Sequence, residues 1–243
     1  MTPDFTRVVF LHAHPDDETL VTGALLAALA VSGREVAVVT ATRGEQGEIV
    51  PGTFTGSGPA LVAHREAELA SALAALGVTR HAFLGTPPAL AIGALARRYT
   101  DSGMRWVTPT VAGPSATAGP DSLTAADPDA AAADLVAYLE HVGATALVSY
   151  DAHGGYGHPD HVSCHEIAVR AAERSGVPLF EIVSEPLLPD AAAVEFANPE
   201  RLPAVKRALA HHASQLTVAG EELVHVGGQR QPIMTSVWLR PRS

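Results

Sequence analysis

Apolar positions along this chain fall alternately into short continuous runs and longer periodic stretches. Val8-Val9-Phe10-Leu11 is a run of strand length and predicts a fully buried first strand. Thr19 to Ser32 follows with helical spacing and stops at Gly33, a C-cap signal. Glu35 to Thr40 reads as a second strand. Leu61 to Leu76 reads as a helix closed by Gly77, because Leu61, Arg65, Leu69, Leu73 and Leu76 lie three and four residues apart. Ala82-Phe83-Leu84 is a short third strand. The pattern continues with a helix over Asp129–His141, a strand over Ala146–Tyr150 and a helix over Pro159–Ser175, with Pro159 suited to the first helical position. A strand over Leu179–Val183, a helix over Ala204–Ser214 and a strand over Ile233–Leu239 complete it.

Strands alternating with helices predict an α/β fold: one domain, residues 1–243, with a mostly parallel sheet and helices on both faces. The 243 residues suffice for such a domain and its core. There is no internal repeat and no linker. Arg43 to Pro59 is Gly-rich and polar and reads as a loop, and residues 86–128 are the least regular part, with a turn signal at Asp101-Ser102-Gly103. Long irregular stretches in compact domains are commonly functional, so substrate or mobile loops are expected near 43–60, 86–128 and 184–203.

Charge and cysteine usage narrow the function classes. The formal net charge is −10 and Lys206 is the only lysine, so the basic footprint of a nucleic-acid partner is missing. Cys164 is the single cysteine, which excludes an internal disulfide and a cysteine-rich zinc site. The first apolar run is too short to span a membrane, and no basic segment precedes it as a secretory signal would require. A cytoplasmic location is the default expectation, and a homo-oligomer is compatible with the sequence.

In parallel sheets, ligands bind beyond the carboxyl ends of strands. Two polar clusters fall at such ends. His12-Ala13-His14-Pro15-Asp16-Asp17-Glu18 follows the first strand. His153-Gly154-Gly155-Tyr156-Gly157-His158-Pro159-Asp160-His161 follows the Ala146–Tyr150 strand. So many ionisable groups at the end of a buried strand need partners, and a metal ion held by imidazole and carboxylate would provide one. Without a metal, the first cluster reads as a solvated loop with acidic residues opening a helix. If Pro159 opens a helix, His158 is its N-cap and His161 lies one turn on. The spacing alone does not say which His or Asp takes which role.

His14-Pro15-Asp16-Asp17-Glu18 together with His158-Pro159-Asp160-His161 resembles the PIG-L (LmbE-like) family of zinc-dependent N-deacetylases. The resemblance implies a Rossmann-like fold that binds no dinucleotide. It implies metal ligands at His14, Asp17 and His161, and a general base at Asp16. His158 would act as general acid or stabilise the tetrahedral intermediate, and Tyr156 would polarise the amide carbonyl. The implied metal is Zn²⁺, although a His/Asp site also accepts Fe²⁺ or Co²⁺.

Gly44-Glu45-Gln46-Gly47-Glu48, His64-Arg65-Glu66, Asp101-Ser102-Gly103-Met104 and the Lys206–Gln215 stretch are similar to the mycothiol branch of that family. By that similarity the substrate is N-acetylglucosaminyl-inositol, and Arg65, Glu48 and Asp101 contact sugar or cyclitol hydroxyls. Residues 105–128 and 184–203 depart from the branch. This keeps three alternatives open: another amino-sugar natural product, a glycolipid, and the mycothiol-conjugate amidase reaction. A non-catalytic sugar-binding protein is a remoter one. His12 is expected to be core or supporting, and His211 and His212 to lie on a helix surface or lid. A dinucleotide enzyme would carry G-x-G-x-x-G after the first strand, and a serine hydrolase G-x-S-x-G; neither is found.

Overall fold

A computed structural model describes residues 4–116, 118–184 and 190–242. Part of the 86–128 and 184–203 loop expectation, at Thr117 and residues 185–189, therefore lies outside the described residues.

The elements follow the predicted order. They are β1 (Arg7–His12), α1 (Asp17–Val31), β2 (Glu35–Thr40), α2 (Pro59–Leu76), β3 (Arg80–Phe83), β4 (Met104–Thr108), β5 (Val111–Pro114), α3 (Pro128–Val142) and β6 (Ala146–Tyr150). After these come α4 (Pro159–Ser175), β7 (Leu179–Ile182), β8 (Val194–Ala197), α5 (Leu202–His211), β9 (Leu216–Ala219), β10 (Glu222–His225), β11 (Arg230–Pro232) and β12 (Ser236–Pro241).

Among the described residues, seven strands form one sheet in the order β3-β2-β1-β6-β7-β12-β8. The first five are parallel neighbours. β12 pairs antiparallel with both β7 and β8. Covered on both faces, the central strands can be apolar throughout. Their alternate residues feed two cores. Val9, Leu11, Val39 and Leu147 pack with Leu135, Leu139 and Ile167 of α3 and α4. Val8, Phe10, Val38 and Val148 pack with Leu26, Leu69, Leu73 and Ala208 of α1, α2 and α5.

The structure adds elements that the apolar pattern did not announce. The irregular 86–128 segment contains the β4–β5 hairpin, and the 184–203 segment contains β8. β9, β10 and β11 make a small separate sheet. The chain runs outward from β1 through β2 to β3, then returns to the other side of β1 with β6. The gap beyond the carboxyl ends of β1 and β6 is thus the point where strand order reverses, the place such sheets use for ligands.

Candidate metal centre and active site

Both polar clusters open at this gap, each at a helix start. α4 begins as its sequence predicts: Pro159 occupies the first turn, and His158 caps it by accepting the Asp160 N–H on Nδ1 at 3.1 Å. Gly154 lets the preceding loop pass close to α4, since a Cβ there would stand 3.0 Å from the Val162 nitrogen. α1 begins differently. Asp16 has φ 119°, the only positive φ of a non-glycine among the described residues. That backbone is strained for an L residue and persists because its surroundings over-determine it. The Asp16 N–H donates to Glu18 Oε2 at 2.9 Å, and its carbonyl accepts from the N–H groups of Thr19 and Leu20.

His14, Asp17 and His161 converge. Asp17 Oδ2 lies 3.1 Å from His14 Nδ1 and 3.3 Å from His161 Nε2. Donor atoms around a tetrahedral zinc, each about 2.0–2.1 Å from the ion, stand about 3.3 Å apart, so each of these two spacings is of the size that neighbouring zinc donors show. His161 Nε2 is buried with no hydrogen-bond partner, while Nδ1 faces the Gly154 carbonyl at 3.3 Å. His14 Nε2 faces Asp160 Oδ2 at 3.1 Å. In each imidazole one nitrogen is oriented by a carboxylate or carbonyl and the other is turned toward Asp17, which is how ligating histidines are held. Burial works against the Asp17 charge, but His161 and His14 hold its carboxyl well below the usual range.

Nitrogens of His14, His158 and His161 also come close enough to hold an ion, as do donors of His14, Asp101 and Asp160. Hydrogen bonds already engage members of both sets, as the His14 N–H engages Asp17 Oδ2 at 2.9 Å. His158 Nδ1 is an acceptor, so in the neutral ring the proton sits on Nε2, which makes that nitrogen a donor and not a ligand. Burial, with His14 and His161 next, pushes the His158 imidazole down to about 2 and keeps it neutral. Asp160 is already occupied by the Ser102 N–H, the Ser102 hydroxyl and His14, and Asp101 by the N–H groups of Gly103 and Gln46.

Asp16 sits beside this centre. Burial, and then the Asp17 charge, push its carboxyl up to about 8. A bound cation would reverse that trend. Tyr156 stands at the rim, 41% exposed, with its ring centroid 5.4 Å from that of His161. Burial and the charges of Asp17 and Asp16 raise its hydroxyl well above the usual phenol, so it remains a donor.

The remaining sequence expectations fall in different places. Arg65 is buried, and its guanidinium donates to the carbonyls of Gly44, Gly47 and Glu48. A Cβ on Gly47 would collide with that guanidinium, which is why the loop needs a glycine there. The Glu48 side chain is exposed. Asp101 Oδ1 lies 3.7 Å from His14 Nε2 within the loop network described above. His12 is buried between Thr22 and Tyr150, as expected of a supporting residue. His211 is exposed as expected, but His212 corrects that expectation: it is fully buried and pairs with Glu18 Oε1 at 3.0 Å. Its burial is visible in retrospect in the spacing Val205, Ala208, Leu209, His212, one face of a helix. Asp160 and Ser102 went unassigned because their contact spans 58 positions. Tyr150 also went unassigned; its ring stacks on His161 at 4.2 Å.

Residues 9–172 match the PIG-L family, described as GlcNAc-PI de-N-acetylase. The chain belongs to the PIG-L family. Kineococcus radiotolerans has a relative named 1D-myo-inositol 2-acetamido-2-deoxy-alpha-D-glucopyranoside deacetylase, 46% identical over 68% of this chain and 44% of its own length. A Rhodococcus opacus protein of the same name is 34% identical over 94% of this chain and 88% of its own. Against the first of these relatives, and others like it, the matched region spans only about half of the relative's length. The fold is shared with a teicoplanin deacetylase crystallised in a zinc-inhibited form, at 24% identity and a TM-score of 0.59 over 86% of this chain and 85% of that one. No helix among the described residues is long and apolar enough to cross a membrane.

Proposed function

We propose that this PIG-L chain is a metal-dependent hydrolase that removes the N-acetyl group from an N-acetylglucosamine-containing small molecule, with N-acetylglucosaminyl-inositol as the leading candidate. The observation that carries the reading is the convergence of His14, Asp17 and His161 around the unpartnered, buried His161 Nε2, with a strained carboxylate and a protonated imidazole nitrogen beside it. The names of the Kineococcus and Rhodococcus relatives supply the sugar and the inositol.

In this reading His14, Asp17 and His161 would hold a divalent ion, proposed to be zinc. Such an ion would polarise the amide carbonyl and lower the pKa of water to about 7. Asp16 accepts the proton of the attacking water. As the carbonyl carbon becomes tetrahedral, its oxygen receives hydrogen bonds from His158 Nε2–H and the Tyr156 hydroxyl. The proton held by Asp16 then passes to the leaving nitrogen, and free amine and acetate result. Arg65 braces the 44–48 loop, and in this reading Glu48 and Asp101 are the candidates to meet sugar or cyclitol hydroxyls, Asp101 standing 3.7 Å from His14 Nε2.

The test compares metal-stripped and zinc-reconstituted protein for free amine released from N-acetylglucosaminyl-inositol and from a panel of other N-acetylglucosamine conjugates. Zinc-dependent release from the inositol compound supports the whole reading. Release only from other conjugates keeps the chemistry and rejects that substrate. Bound zinc without release from any compound rejects the reaction.

A further inference from the structure

Beside Tyr156 the rim of the site exposes large apolar side chains, where a sugar or cyclitol alone would call for hydrogen-bonding groups. The β4–β5 hairpin leans on the loop that carries Tyr156: the Ala112 N–H donates to the Tyr156 carbonyl at 2.9 Å. A Cβ on Gly157 would stand 3.3 Å from the Ala112 carbonyl oxygen and 3.5 Å from Val111 Cγ1. The Trp106 ring centroid lies 5.7 Å from that of Tyr156, and Tyr156 in turn contacts His158 and His161. Trp106 is 50% exposed and Val111 37%, beside a Tyr156 that is itself 41% exposed. Large apolar side chains exposed singly need no explanation, but a contiguous group at the mouth of a site marks a surface that a ligand covers. Trp106 is two ring contacts out from the metal donors, beyond the reach of an acetyl group being cleaved there. A bare inositol has little apolar surface to offer it.

We propose that Trp106, Tyr156 and Val111 form a subsite for an aryl or alkyl substituent of the amino-sugar substrate. The substituent is carried either by the aglycone or by the N-acyl chain. This rests on the deacylation reading of the metal centre and specifies its substrate class. The hairpin's backbone hydrogen bond to Tyr156 ties occupation of the subsite to the residue that faces the amide, so the apolar group also positions the scissile bond.

Three compounds separate the possibilities: N-acetylglucosaminyl-inositol, phenyl N-acetylglucosaminide, and the inositol compound with N-octanoyl in place of N-acetyl. Each is assayed for amine release by zinc-loaded wild type, Trp106→Ala and Trp106→Phe, with circular dichroism confirming the fold. Binding of phenyl glucoside against methyl glucoside, neither of which has an amide to cleave, is measured by calorimetry. The expected result is a kcat/KM about tenfold higher for one apolar compound than for the inositol compound. Trp106→Ala should abolish that gain through KM, Trp106→Phe should largely keep it, and the phenyl glucoside should bind more tightly only while the ring is present. Gain with the phenyl compound assigns the substituent to the aglycone, and gain with the octanoyl compound assigns it to the acyl chain. Equal kcat/KM for all three compounds, unmoved by Trp106→Ala, overturns the subsite. If no compound releases amine, the deacylation reading fails, and equal binding of the two glucosides overturns the subsite with it.

Discussion

Arg65 separates two roles that the sequence could not tell apart. A substrate-binding arginine would leave stability alone and lower KM. In the structure Arg65 is buried, 1% exposed, and holds three carbonyls of the 44–48 loop. Arg65→Met keeps much of the volume and removes every one of those hydrogen bonds. The Gly44 carbonyl belongs to a buried residue and would keep only the Gly47 N–H at 3.2 Å, while Gly47 and Glu48 are exposed and can recover water. Losing three bonds from a charged donor, two of them at exposed residues, costs about 2 kcal/mol. The expected destabilisation is therefore about 2 kcal/mol, read as a lower urea midpoint at unchanged slope and a melting point lower by roughly 4–8 °C. Arg65→Lys should recover little, since a single ammonium cannot span three carbonyls. Hydrogen exchange should show loss of protection in residues 44–48. A variant whose stability lies within 0.5 kcal/mol of wild type, with KM for the inositol compound raised and kcat intact, would refute the bracing role and restore direct substrate contact.

His158→Ala and His161→Ala should part company. The first should keep its metal, measured by elemental analysis, and lose about 100- to 1000-fold in turnover as an oxyanion donor would, whereas the second should lose the metal. Metal loss in both would return His158 to the ligand set. Asp160→Asn should weaken metal affinity about 10- to 100-fold, read by competition with a chelating dye, because His14 Nε2 loses its carboxylate partner. Burial pushes the His81 imidazole down to about 4 from 6.5. The unfolded chain therefore gains a proton near pH 6.5 while the folded one does not. Stability should fall as pH drops from about 6.5 to 4, at no more than about 1.4 kcal/mol per pH unit and by less because the ring is partly exposed. His81→Gln should flatten that slope in urea titrations, and an unchanged slope would count against it.

What could be read from the sequence was local. The start of α4 was legible because Pro159 fixes a first helical turn and leaves His158 as the cap. The buried central strands were legible because they lack polar interruptions. β4 and β5 were not, since Thr and Gly residues give no two-residue alternation and the pairing carries an irregularity between Trp106 and Thr108. Nor was the direction of β12, a matter of which edge the chain reaches last. The spacing of the two polar motifs announced a site without distributing its roles. The proposed roles lean on one backbone hydrogen bond, from Asp160 to His158, and on the buried Nε2 of His161, neither of which has a signature in spacing. Arg65 shows the same limit: the loop carbonyls it meets have no signature in the helical spacing that places it.

The Glu18–His212 pair has a bearing on what a minimal working unit would be. Every group that faces the amide in the proposed reaction lies within residues 14–161, and the PIG-L match itself stops at residue 172. Yet the strained backbone of Asp16 is held by Glu18, and Glu18 is neutralised from outside that stretch by His212, buried at the end of α5. A fragment cut after α4 would carry all the proposed ligands and still leave Glu18 as an uncompensated buried charge beneath Asp16. The segment beyond residue 172 is thus a built-in chaperone of geometry for the proposed reaction centre, through the one imidazole of His212.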